Sequence, residues 1–155
     1  MLFSKQSHIL PRSGETRLAL TLLRCALAAG LLSAVADRFG FWGPPGAPRV
    51  AWGSFAAFLT YTSKLNPWCP TRLIPALGWS ATVAEFIFGM ALVTGFRIRL
   101  TGVAVAALTA SFAAAMTFTL GIKVPLDYSV FSFAASAYVL ACAYKDDPRT
   151  FAVSG

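Results

Sequence analysis

From Leu100 to Ile122 the chain carries no charged side chain, the run being bounded by Arg99 and Lys123. Crossing the hydrocarbon core of a bilayer as a helix takes roughly 20 mostly apolar residues. A helix that is apolar on every face must be buried in protein or in lipid, and a chain of 155 residues has little protein to bury it in. Three more segments share the property: Leu18 to Ala36, interrupted only by Arg24; Ile74 to Phe96, interrupted only by Glu85; and Tyr128 to Tyr144, between Asp127 and Lys145. Charged residues make up 12% of the chain and apolar ones 57%. A soluble domain carries about 25% charged residues, so this chain cannot cover a soluble surface. Its hydrophobicity also excludes disorder. In lipid the backbone must satisfy its own hydrogen bonds, and runs such as SFAAAMTF lack the alternation of a membrane β-barrel. The expected fold is all-α: an integral membrane four-helix bundle in one domain, residues 17–145, with helices about 17–37, 74–96, 99–122 and 127–144.

The charges that remain orient the chain. Lys5, Arg12, Arg17, Arg97, Arg99, Lys145 and Arg149 fall on one side of such a bundle; Arg38, Arg49, Lys64, Arg72 and Lys123 fall on the other, mostly in one long loop. The positive-inside rule then puts both termini in the cytoplasm. The formal net charge of +7 is scattered singly and in pairs, with no basic stripe of the kind that binds nucleic acid. Ala34-Val35-Ala36 before Asp37 has the small-residue form of a signal cleavage site. The apolar stretch before it is longer than an h-region and contains Arg24, so a retained first crossing is expected. Residues 1–16 form a polar cytoplasmic arm, expected to be mobile, and 146–155 a cytoplasmic tail. The long loop opens with FGFWGPPGAPR; then Trp52, Phe55, Ala56, Leu59 and Thr62 or Ser63 recur at helical spacing. A short amphipathic interfacial helix about 50–63 is predicted, with Trp42, Trp52, Trp68 and Trp79 as interface anchors.

Two charges fall inside the hydrocarbon, at a cost of about 2.5–3.5 kcal/mol each on insertion scales. Arg24 lies about 10 Å above Arg17, and Glu85 roughly 16 Å above Phe96, at 1.5 Å per residue. The first two crossings are sequential neighbours, so an Arg24–Glu85 pair facing the interior is expected, as a pin fixing helix register or as a proton or ligand site. A second group gathers at the outer helix ends: Asp37, Arg38, Lys64, Asn66, Lys123, Asp127, Tyr128 and Ser129. It reads either as an outer polar pocket or as ordinary end-capping, with Asp127 as N-cap of the fourth helix. Small residues at four-residue spacing, Gly102, Ala106, Ala110 and Ala114 in the third helix and Ala26, Gly30 and Ala34 in the first, favour close helix packing, within the monomer or in a homo-oligomer.

Cys25, Cys69 and Cys142 are isolated, so no C-x-x-C exchange pair exists. His8 is the sole histidine, which excludes bis-histidine haem and leaves zinc or di-iron without ligands. No metal site and no covalently bound cofactor is expected, and no phosphate loop or nucleophile elbow occurs.

The strings SAVADRFGFWG, VAWGSFAAFLTYTSKLNPW, ATVAEFIFGMALVTGFRIRL and AAAMTFTLGIKVPLDYSVF together resemble the DoxX-like family of small bacterial membrane proteins, over roughly residues 18 to 142. The resemblance implies a four-helix inner-membrane bundle with cytoplasmic termini. It also implies association with oxidoreductase systems, such as thiosulfate:quinone oxidoreductase subunits or a membrane-associated oxidoreductase complex; many members have no established activity. The chain has no paired cysteines or histidines for autonomous redox chemistry. Three functions follow as expectations: a membrane subunit or scaffold of a redox complex with a quinone pocket, Arg24, Lys123 or Tyr128 donating to it and Glu85 relaying protons; a small-molecule or lipid-binding carrier; and a purely structural assembly partner in the lipid bilayer.

Overall fold

The computed structural model describes residues 13–144. The expected tail and most of the expected arm lie outside the described residues. Six α-helices follow in order: α1 (Ser13–Arg38), α2 (Phe55–Leu65), α3 (Ile74–Thr94), α4 (Ile98–Leu120), α5 (Lys123–Asp127) and α6 (Val130–Ala143). A 3-10 turn, Thr71–Leu73, leads into α3, and no strand occurs among the described residues. Three of these helices, α1, α3 and α4, are long and apolar enough to cross a membrane.

Local chemistry sets most of the boundaries. α1 starts before the expected residue 17 because Glu15 favours the positive end of its dipole and Gly14 does not stop it. Pro75 sits in the first turn of α3, where a missing N–H costs nothing. α3 ends in a Schellman arrangement: Phe96 N–H donates to the Ala91 carbonyl at 2.9 Å and Gly95 N–H to that of Leu92 at 3.3 Å. Gly95 has φ +77°, which only glycine adopts without strain. Ser54 caps α2, accepting from Ala57 N–H at 3.2 Å, so this helix begins later than the expected residue 50.

The expected fourth crossing is interrupted. Ser129 adopts φ 55° and separates α5 from α6. Asp127 is not the N-cap of α6; it ends α5 and pairs with Lys123 one turn back, while Ser129 takes the cap position without a side-chain bond. At 1.5 Å per residue the 14 residues of α6 span about 21 Å, short of a hydrocarbon core of about 30 Å.

α3 is inside-out relative to a helix of a soluble protein. The buried stripe of α3 is Ile74, Gly78, Thr82, Glu85, Gly89 and Leu92, mostly small or polar. Its exposed face carries Val83, Phe86, Ile87, Met90 and Val93. Water would not tolerate that surface, whereas lipid would.

α1 packs against α3 and α4 against α6; lighter α3–α4 and α1–α6 contacts close the ring, and α2 lies across α3 and α4. Leu27, Leu31, Leu92, Ile98, Val105 and Leu140 form the dry core, toward the α3–α4 turn. Close approach needs glycine at two places. A Cβ on Gly102 would lie 2.9 Å from the Ala137 carbonyl oxygen and 3.0 Å from Ala141 Cβ, and one on Gly89 would lie 2.8 Å from Leu32. The small-residue stripe on α4 is used only in part: Gly102 is buried, but Ala110 and Ala114 are exposed, and the buried line continues through Val105, Thr109, Ala113 and Met116. On α1 Ala26 is exposed, and Leu27, Ala28 and Leu31 are the buried positions.

Candidate functional site

The charged centre of the bundle is built on Arg38, not Arg24. Arg38 ends α1 and is 2% exposed; Glu85, in mid α3, is 3% exposed. Arg38 Nη2 lies 2.8 Å from Glu85 Oε1 and 2.7 Å from Oε2. Its hydrogen is directed at Oε1, so Oε2 is held by charge without a directed bond. Nη1 donates to Thr82 Oγ1 at 2.8 Å, and Thr82 donates in turn to the Gly78 carbonyl at 2.8 Å. The Phe58 ring centroid lies 3.9 Å from the guanidinium carbon and that of Trp52 lies 5.3 Å away, adding cation–π attraction that strengthens where water is excluded. Asp37 is buried beside this group and accepts from the backbone N–H of Trp52 at 2.8 Å, which ties the long loop back onto the end of α1.

The register of α1 on α3 explains why Arg24 stands elsewhere. Leu32 packs on Gly89, and Arg24 Nη1 lies 2.8 Å from where a Cβ on Gly95 would sit. Arg24 is therefore level with the C-terminal end of α3, where exposed carbonyls favour a cation. Ten residues separate Gly95 from Glu85, about 15 Å along the helix, beyond the reach of one arginine side chain. The expected Arg24–Glu85 pair requires Arg17 level with Phe96, whereas α1, which begins at Ser13, runs about three turns past the end of α3.

Arg38 and Glu85 form part of the wall of a cleft of about 1130 Å³ between the helices. α2 contributes Tyr61, Thr62 and Lys64; α1 contributes Gly30 and Ala34; α4 contributes Thr109 and Met116; α6 contributes Val130 and Phe133. The wall is mainly apolar. Tyr61 is half-buried, and burial, followed by the neighbouring Tyr128, pushes its hydroxyl above the ordinary tyrosine value.

Of the expected outer group, Arg38, Lys64, Asn66 and Tyr128 line this cleft. Asp37 is buried next to it. Lys123 and Asp127 are exposed and paired with each other, and Ser129 is an exposed link residue. Trp42, Trp68 and Trp79 are exposed as anchors would be, but Trp52 turns inward onto Arg38. Thr82, Trp52, Phe58 and Tyr61 complete the site without having been singled out for it. Thr82 was legible as the residue one turn before Glu85 on the same face. Thr62, a member of the expected face, and Phe58, one turn before it and outside that face, are the buried positions of α2; Trp52, Phe55 and Leu59 are half-buried and Ala56 is exposed.

No family model, no curated protein and no solved structure matches this chain.

Proposed function

We propose that the chain is a DoxX-like, multi-pass protein of the bacterial inner membrane that holds a quinone in the cleft above Arg38–Glu85, as a membrane subunit or scaffold of an oxidoreductase system. The observation that carries this reading is the cleft: about 1130 Å³, somewhat larger than the roughly 300–1,000 Å³ of common small-molecule sites, mainly apolar, with Arg38 and Glu85 in its wall. An isoprenoid quinone has the same division, a compact polar head on an apolar tail. The inside-out face of α3 supports the membrane placement, and the distribution of Lys and Arg supports cytoplasmic termini. α5 and α6 together make the fourth crossing in this topology.

Purified protein in lipid nanodiscs, extracted with organic solvent, should release about one quinone per chain or per small oligomer. Ala81→Trp, which fills the cleft from α3, should abolish retention while leaving the helical content unchanged. Equal quinone retention by wild type and the filled variant would refute the site. Affinity purification from native membranes tests the redox-subunit half of the proposal: co-purification of oxidoreductase chains supports it, and recovery of the protein alone counts against it.

The burial of the Arg38–Glu85–Thr82 cluster favours one second reading, an assembly partner in which the pair is a structural pin. That reading expects an apolar replacement of both charges to preserve every native association.

A further inference from the structure

The end of the bundle that holds the α3–α4 turn is cationic. Arg24 reaches the turn from α1, its Nη1 2.8 Å from where a Cβ on Gly95 would sit. Arg97 and Arg99 follow Gly95 by two and four residues, at most about 7 Å and 14 Å of chain, and both are exposed. Arg17 stands two turns before Arg24 on the same face of α1. Against these four arginines the described residues set one carboxylate, Glu15, nine residues from Arg24 and so about 13 Å away along α1. The other described carboxylates are engaged elsewhere: Glu85 with Arg38, Asp37 with the Trp52 N–H and Asp127 with Lys123. In the sequence after α6, Lys145, Asp146, Asp147 and Arg149 add no net charge.

The positive-inside rule asks only for basic residues near helix ends, where water can solvate them. Arg24 stands apart from that pattern. It is half-buried, and its Nε is buried with no hydrogen-bond partner. Neither ion pair among the described residues includes it. A guanidinium presents its N–H donors in a planar fork that matches a phosphate, and a buried donor left unmet costs free energy that an incoming anion removes. Beside the turn the surface is apolar, with Phe96 and Leu100 both exposed, so acyl chains have a wall to lie against. Basic pockets between membrane helices on the cytoplasmic side suit anionic lipid heads.

We propose that the junction of Arg24 with the α3–α4 turn binds an anionic glycerophospholipid, its phosphodiester paired with Arg24 and flanked by Arg97 and Arg99. The site rests on the membrane placement of the helices and not on the quinone reading, since the cleft lies toward the other end of α1, at Arg38.

Native mass spectrometry of the full chain, released from an uncharged detergent, counts the bound lipid. The probes are phosphatidylglycerol and phosphatidylcholine with the same acyl chains, and inorganic phosphate as competitor. The expected result is phosphatidylglycerol bound about tenfold tighter than phosphatidylcholine, since each basic residue near a headgroup is worth about a fivefold preference for an anionic lipid. Arg24→Gln should cut the ratio to roughly twofold. Arg72→Gln, the same charge change before α3 at the opposite end of the bundle, should leave it unchanged. Arg97→Gln with Arg99→Gln alters only exposed positions; it should lower the ratio too, and it decides the matter if Arg24→Gln does not fold. Equal binding of the two lipids overturns the site while leaving the membrane placement and the cleft standing. An equal loss in Arg24→Gln and Arg72→Gln overturns it in favour of diffuse attraction. Displacement of phosphatidylglycerol by an equal concentration of inorganic phosphate overturns the lipid in favour of a free anion.

Discussion

Glu85→Ala is the most informative single substitution in this molecule. It leaves the Arg38 guanidinium, 2% exposed, without its salt-bridge partner, and stranding one partner of a buried pair costs about 3–5 kcal/mol. Thr82→Val removes the 2.8 Å bond from Nη1 and the Thr82 bond to the Gly78 carbonyl but strands no charge, and should cost about 1–2 kcal/mol. Replacing both charges by apolar residues, Arg38→Met with Glu85→Leu, should recover a large part of the single-mutant loss, because no ion then remains buried unpaired. The Arg38/Glu85 double-mutant cycle should therefore show a coupling of about 2–3 kcal/mol, and the Arg24/Glu85 cycle less than about 0.5 kcal/mol, since distant sites add. Reversible unfolding in mixed micelles with increasing sodium dodecyl sulfate, followed by circular dichroism, measures both cycles. A larger coupling for Arg24/Glu85 than for Arg38/Glu85, or a smaller loss for Glu85→Ala than for Thr82→Val, would refute the geometry.

Gly102→Ala should destabilise by about 1–3 kcal/mol because its new methyl meets backbone, whereas Gly89→Ala meets the movable end of Leu32 and should cost less; the same unfolding assay ranks them. Asp37→Ala should release the Trp52 backbone at a cost of about 1.5–3 kcal/mol, the value of a hydrogen bond to a charged group, seen as a red shift of tryptophan emission. Absorbance at 295 nm should show a late-titrating tyrosine that Tyr61→Phe removes and that Tyr128→Phe shifts part-way down, burial remaining as the larger cause. Since folding raises the Tyr61 value, its contribution to stability is complete below about pH 10 and is lost as pH rises through the folded value.

What residue order alone determined is the class of structure. An uncharged run such as Leu100 to Ile122 has only one stable form in lipid, and its helicity depends on its own backbone, not on distant residues. The tight turn between the expected helices 74–96 and 99–122 and the broad division into long apolar helices and a long loop were legible for the same local reason. The importance of Glu85 was legible too, because a carboxylate amid apolar residues is costly wherever its partner stands. Which cation answers it was decided only by the tertiary structure. The choice of Arg38 over Arg24 depends on how far α1 slides along α3, and that is set where Leu32 meets Gly89, a contact between residues far apart in the chain. The cleft is likewise a property of the assembled helices: α2 closes over their ends with Phe58 and Thr62 inward, and its rotation depends on what lies beneath it. Local periodicity marks which residues are apolar, but in a lipid-facing bundle apolar residues point outward as readily as inward, so the interior stripe appears only once the helices have met.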